Sequence, residues 1–221
     1  ILKNLVKRFR ELGGELKLRS GVERIELDGT RAVGVVLENG EQLSAKRVLS
    51  SAGWIETMRL CRQEAQVPVE HIGQMSFVES SSVLNVQPTE LGHDDTIVFF
   101  CDQNEFPWRV PSGLCDLHTG VICSPNNFLY DASDGAPPEG TMRVTTVANF
   151  AEWQGLDEHS YKLEKLRWYD KIVQSAVRFV PDYRGHTVAT DVFTPKTIRR
   201  ITWHDNGAVY GATVKRLDGA T

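Results

Sequence analysis

Residues 13–53 read GGELKLRSGVERIELDGTRAVGVVLENGEQLSAKRVLSSAG, and the pattern of this stretch decides the fold. Leu16 and Leu18 alternate with charged residues, the period of a half-buried strand. Ile25 and Leu27 repeat that period before a turn at Asp28-Gly29. Val33, Val35 and Val36 then lead to Asn39-Gly40, the dipeptide best suited to a two-residue hairpin turn. Residues 46–51 carry Val48 and Leu49 as a return strand into Ser51-Ala52-Gly53, where bulky side chains disappear. Small residues after a strand let something approach the backbone closely, either a nucleotide or the neighbouring chain. The expected order is strand, small β-meander, return strand and small-residue loop.

Upstream, Leu2, Leu5, Val6, Phe9 and Leu12 fall at helical spacing opposite Lys3, Lys7, Arg8, Arg10 and Glu11. Gly13-Gly14 stops this helix with a residue that accepts the left-handed conformation. Downstream of Gly53 a short helix is expected over 54–62. From about 66 to 155, strand-like runs at 77–86, 96–101, 119–124 and 142–150 alternate with polar loops such as 131–140. That spacing predicts an antiparallel sheet as its own layer. The clearest helix covers 157–180, capped by Asp157 and closed by Pro181. Its expected apolar face is Leu163, Leu166, Tyr169, Ile172, Val173, Ala176, Val177 and Val180. A strand at 184–193 precedes Thr194-Pro195, an N-cap followed by proline at the first helical position. The brief helix over 196–202 gives way to a turn at Asp205-Asn206-Gly207. The chain opens on Ile1 inside an amphipathic pattern and closes on LDGAT, so it is expected to be an excised piece of a longer protein.

Composition narrows the function classes. The 221 residues carry a net charge of −4 and no basic cluster, which leaves no electrostatic footprint for nucleic acid. No apolar run approaches the roughly 18 residues that span a bilayer. Cys61, Cys101, Cys115 and Cys123 lack metal-type spacing and read as free thiols in a reducing compartment.

Two blocks together carry a family resemblance. Gly13, Gly14, Val22, Ile25, Val48, Ala52 and Gly53 match the middle of the flavin domain in phytoene desaturase-like FAD-dependent oxidoreductases, within the amine-oxidase-like group. Thr194, Pro195, Thr197, Arg200, Thr202, Gly207, Ala208, Tyr210 and Gly211 resemble the segment that returns from that family's substrate domain to its flavin domain. The resemblance covers about 1–62 and 184–221; the region between supports only a sheet-plus-helix layer. It implies an α/β chain (α+β for the piece itself), with 1–65 and 184–221 as parts of an FAD-binding domain. Residues 66–183 then form a substrate domain of antiparallel sheet plus helix. FAD is the implied cofactor, with Val22 touching the adenine through its backbone and Ala52 and Gly53 near the nucleotide. Tyr210 and Gly211 are implied to lie towards the flavin ring. The implied substrate is a small apolar molecule, a long isoprenoid such as a carotenoid precursor, attacked at its carbon–carbon double bonds. The expected setting is cytoplasmic, with a peripheral membrane contact to collect that substrate. Polyene cis–trans isomerisation or saturation is the alternative on the same fold, an amine substrate is not excluded, and a non-catalytic binding domain is the alternative of another class.

The G-x-G-x-x-G turn that seats a pyrophosphate on a helix N-terminus occurs nowhere in the chain, so weak or no FAD binding is expected of the piece alone. His71, His93, His118, His159, His186 and His204 never pair at i, i+4 or with a nearby cysteine, which speaks against zinc. No G-x-S-x-G elbow occurs, and Ser80-Ser81-Ser82 read as strand ends and loops. Arg199-Arg200 read either as partners of a flavin phosphate or substrate carboxylate, or as surface charges. Trp108, Trp153, Trp168 and Trp203 are candidates to line an apolar cavity, with core packing as the default.

Overall fold

A computed structural model describes residues 2–63, 66–130, 135 and 137–210. The chain divides into two compact units, with the boundary between Pro68 and Val69.

In the first unit, α1 (Leu2–Glu11) ends where Gly13 takes φ +83°, the left-handed angle expected of its stop signal. Strands β1 (Val22–Asp28), β2 (Arg31–Leu37) and β3 (Gln42–Ser44) form an antiparallel meander in that order. The Asp28↔Arg31 pair closes a two-residue turn in which Gly29 takes φ +61°. The second turn corrects the expectation of a two-residue loop at Asn39-Gly40. Leu37 N donates to Glu41 O (2.9 Å) and Gly40 N to Leu37 O (2.8 Å), so three residues, Glu38 to Gly40, make the connection. Gly40 supplies the single left-handed residue that such a loop needs. Helix α2 (Trp54–Leu60) packs on β1, and Ile25, Val36, Leu37 and Ile55 are the buried apolar residues of this unit.

Two expected strands are absent. Residues 14–18 and 46–51 have no ladder, and Leu49 is 99% exposed. Alternation marks a strand only when another strand stands beside it to take its N–H and C=O groups, and no described strand does so here.

The second unit is a five-stranded antiparallel sheet in the order β5-β6-β7-β4-β8. Its strands are β4 (Ser76–Leu84), β5 (Ile97–Cys101), β6 (Thr119–Cys123), β7 (Gly140–Ala148) and β8 (Thr187–Phe193). Helix α3 (Phe150–Gln154), which no sequence pattern announced, follows β7 after an Asn149 cap. Helix α4 (Glu158–Ala176) is capped by Asp157, whose carboxylate accepts from His159 N and Ser160 N, each at 2.9 Å. It lies across β4, β7 and β8, and its residues Ile172, Val173 and Ala176 join Val78, Phe100, Ile122, Met142, Val144 and Val192 in one core. The expected face holds only in the second half of the helix. Leu163 and Leu166 are exposed, because the stripe that meets the sheet runs through Tyr161, Trp168, Tyr169 and Ile172 instead. Helix α5 (Pro195–Thr202) starts as predicted at a Thr194 cap.

The strand β8 pairs with β4 through Glu79↔Phe193 to Leu84↔Thr187. Residues 187–193 therefore lie in the sheet of the second unit, where the expected partition had grouped 184–221 with 1–65. The backbone bonds of this strand, rather than its place in the sequence, decide that position. Ser80, Ser81 and Ser82 sit in the middle of β4, not at strand ends, and the hydroxyl of Ser82 meets Tyr169 OH at 2.8 Å.

Candidate functional site

Among the described residues, α4 covers one side of the five-stranded sheet. Antiparallel register fixes what the other face carries, since directly opposed residues share a face. One row across the strands reads Phe99, Val121, Thr145, Glu79, Phe193, and the next reads Ile97, Cys123, Arg143, Ser81, Asp191. Phe99 is 75% exposed, and Ile97 and Phe193 are also open to solvent. In the centre, Glu79 accepts from Arg143 Nε (3.0 Å) with one carboxylate oxygen and from Thr145 Oγ1 (3.0 Å) with the other. The face thus carries the apolar side chains of Ile97, Phe99 and Phe193 around a Glu79–Arg143 ion pair across β4 and β7, with the carboxylate of Asp191 on β8, 3.8 Å from Lys165 Nζ, beside them.

One end of this face is closed by aromatic rings. Phe77 on β4 lies 5.6 Å from Tyr210 at 83° and 6.4 Å from Trp108 at 57°. Trp108 and Tyr210 meet edge-on at 5.1 Å, and Phe106 stacks on Trp108 at 6.2 Å. Trp108 is 51% exposed and Tyr210 64%, so these rings are a solvent-facing ledge rather than core. Two backbone bonds build it: Val209 N donates to Met75 O (3.1 Å), drawing Tyr210 to the start of β4, and Asp116 N donates to Val147 O (2.9 Å), anchoring the connection after β5.

The site residues expected from sequence fall in both units. Val22 opens β1 and is exposed; Ala52 and Gly53 precede α2, and Gly53 is its cap residue. Gly53 takes φ +107° and ψ 159°, a conformation that side chains avoid, and makes no side-chain cap. Its carbonyl accepts from Thr57 N (2.9 Å) and Thr57 Oγ1 (2.6 Å), which fixes the loop at the start of α2. That arrangement fits the close approach of a nucleotide, while the pyrophosphate turn is absent from the sequence. Tyr210 belongs to the aromatic ledge of the second unit, and Gly211 lies outside the described residues. Of the tryptophans, Trp108 is on the ledge, Trp203 is exposed, Trp168 packs against the core and Trp153 is fully buried. Arg199 stands over the ring of Phe150 at 5.5 Å. Sequence reasoning missed Phe77, Glu79 and Arg143; the alternation along 76–84 carried the signal for the face, but not for the rings that close it.

Among the described residues no group of three or more His, Cys, Asp or Glu side chains could hold a metal ion. No helix among them is long and apolar enough to cross a membrane.

The fold is similar to part of one solved structure. A crystal structure of an oxidoreductase from Methanosarcina mazei superposes with a TM-score of 0.50 over 86% of this chain and 40% of that one, at 11% identity. No protein-family model matches the chain. Its homologues are carotenoid-family proteins. It is 27% identical over 216 residues to a chloroplastic prolycopene isomerase of Daucus carota, covering 96% of this chain and 34% of the relative. To the chloroplastic prolycopene isomerase of Arabidopsis thaliana it is 26% identical over 217 residues, covering 96% and 35%. A lycopene-forming phytoene desaturase of a Paracoccus species is 26% identical over 205 residues, with 88% and 40% covered. The resemblance read from the two sequence blocks is therefore found again over 88–96% of this chain, which spans between a third and two-fifths of these relatives.

Proposed function

We propose that this chain is part of an FAD-dependent oxidoreductase acting on the carbon–carbon double bonds of a long polyene. The observation that carries the reading is the uncovered sheet face with its ledge of Phe77, Phe106, Trp108 and Tyr210. A polyene is long, flat and without hydrogen-bonding groups, so it is recognised by apolar area and ring contacts and not by polar side chains. When FAD is bound, it supplies the hydride or electron transfer. The chain's own residues then have two tasks: the ledge binds and orients the polyene, and the exposed apolar side chains of Ile97, Phe99 and Phe193 add area that keeps water from it. Val22, Ala52 and Gly53 are the residues proposed to meet the nucleotide, and Tyr210 and Gly211 to lie towards the ring. The proposed setting is cytoplasmic, with a peripheral membrane contact to collect an apolar substrate.

Similarity to prolycopene isomerases favours a second reading on the same site, cis–trans isomerisation, in which no hydrogen is lost overall. The test is to incubate a poly-cis carotene with FAD and the longer protein that carries this segment, then analyse products by chromatography and mass. Isomers of unchanged mass support the isomerase, and products of lower hydrogen content support the desaturase. An unchanged polyene, with no flavin retained by the protein, would sink both.

A further inference from the structure

The connection between β5 and β6 lines an open cavity of about 480 Å³, with Gln103, Arg109, Ser112, Asp116 and His118 in its wall. Asp102, the first residue after β5, holds the imidazole of His118: one carboxylate oxygen is 2.8 Å from Nδ1. The other oxygen accepts from Arg178 NH1 at 2.6 Å. Arg178 is itself fixed from α4, with NH2 donating to Ser175 Oγ (2.8 Å) and Nε to Ser175 O (3.1 Å). The guanidinium of Arg178, and after it His118, keep Asp102 below the usual carboxylate range. Nε2, on the far side of the ring, is left for a ligand.

The remaining wall has more donors than acceptors. Asp116 is already engaged, accepting from His118 N (2.9 Å) with one oxygen and from the Thr119 hydroxyl with the other. The charge of Asp102 is matched by Arg178. Arg109 forms no ion pair with a described residue, and the side chains of Gln103 and Ser112 have no protein acceptor among those residues. An unpaired guanidinium beside free amide and hydroxyl donors suits a ligand that only accepts.

We propose that this cavity is a binding site for a small oxyanion, a carboxylate or a phosphate group, held by the Arg109 fork and by the ring of His118 that Asp102 orients. Arg109 provides a bidentate grip, and His118 a second contact from across the cavity.

The experiment is an NMR titration of the 221-residue chain with inorganic phosphate and, separately, with acetate, following the imidazole resonances of His118. A saturable shift is expected with at least one of the two, and the tighter of them identifies the ligand group. Arg109→Gln should weaken binding about tenfold or more, the loss of one charged, fork-like contact. Arg109→Lys, which keeps the charge but not the fork, should fall between. Amide spectra that match the parent's establish that both variants are folded, since Arg109 is an exposed loop residue. Shifts that fail to saturate with both anions, or that are the same in Arg109→Gln, overturn the proposal.

Discussion

Trp108 and Tyr210 stand edge to face, ring centres 5.1 Å apart and planes at 66°, although one comes from the connection after β5 and the other from beyond α5. Both also touch Phe77, so a single strand residue joins two distant segments into one exposed surface. An exposed aromatic cluster costs solvation that a folded chain gains nothing from unless it is covered by something. The proposed occupant is the polyene.

Trp108→Ala removes the ring that meets the other three. Polyene binding, read by quenching of intrinsic fluorescence or by co-sedimentation with carotenoid micelles, should weaken about two- to tenfold, the worth of an aromatic contact of roughly 0.5–1.5 kcal/mol. Thermal stability should barely change, because the ring is half exposed. Unaltered binding would remove the ledge from the substrate path.

Thr194 is fully buried, accepts from Thr197 N (3.4 Å) as the cap of α5 and meets Tyr161 OH at 2.8 Å. Thr194→Ala should therefore lower unfolding free energy by about 1–2 kcal/mol in denaturant titration. Thr194→Ser keeps both contacts and should recover most of the loss.

Gly140 is required by space and not by its backbone angle. A Cβ there would run into the carbonyl of Val86 and come within 3.1 Å of Leu84 Cβ, so β7 would have to shift against β4. Gly140→Ala should cost about 1–3 kcal/mol, measured as a lowered denaturant midpoint.

His93 is buried, and its burial pushes the imidazole below its ordinary value even though Asp95 and Asp94 nearby pull the other way. The unfolded chain takes up this proton near pH 6.5 while the folded chain resists it. Stability is therefore fully present above about pH 6.5 and falls as pH drops towards the folded value. Melting temperatures from pH 7.5 down to 5 should show this decline, and His93→Gln should flatten it. An identical slope in the variant would assign the decline to other groups.

Local signals in the sequence were read where the structure depends on neighbours in sequence. Gly13 ends α1, Asp157 caps α4, Thr194-Pro195 starts α5 and alternation along 76–84 gives a strand with one buried and one open face, because each of these rests on bonds spanning about four residues or on a strict period of two. The same reasoning failed at residues 16–18 and 46–51, where alternation and β-branched residues promised strands. Leu163 and Leu166 failed likewise, since which stripe of a helix is buried depends on where the sheet lies. The resemblance to carotenoid isomerases and desaturases was legible in two short blocks, because glycines, turn residues and an N-cap can be read directly as letters.

Only the tertiary structure decided that 187–193 completes the sheet beside β4, that the connection after β5 returns to Val147, and that Phe77, Trp108 and Tyr210 share one ledge. A ladder bond or a ring contact needs a partner contributed from far along the chain. The letters of one segment specify what it can offer to such a partner, and the fold selects which partner meets it.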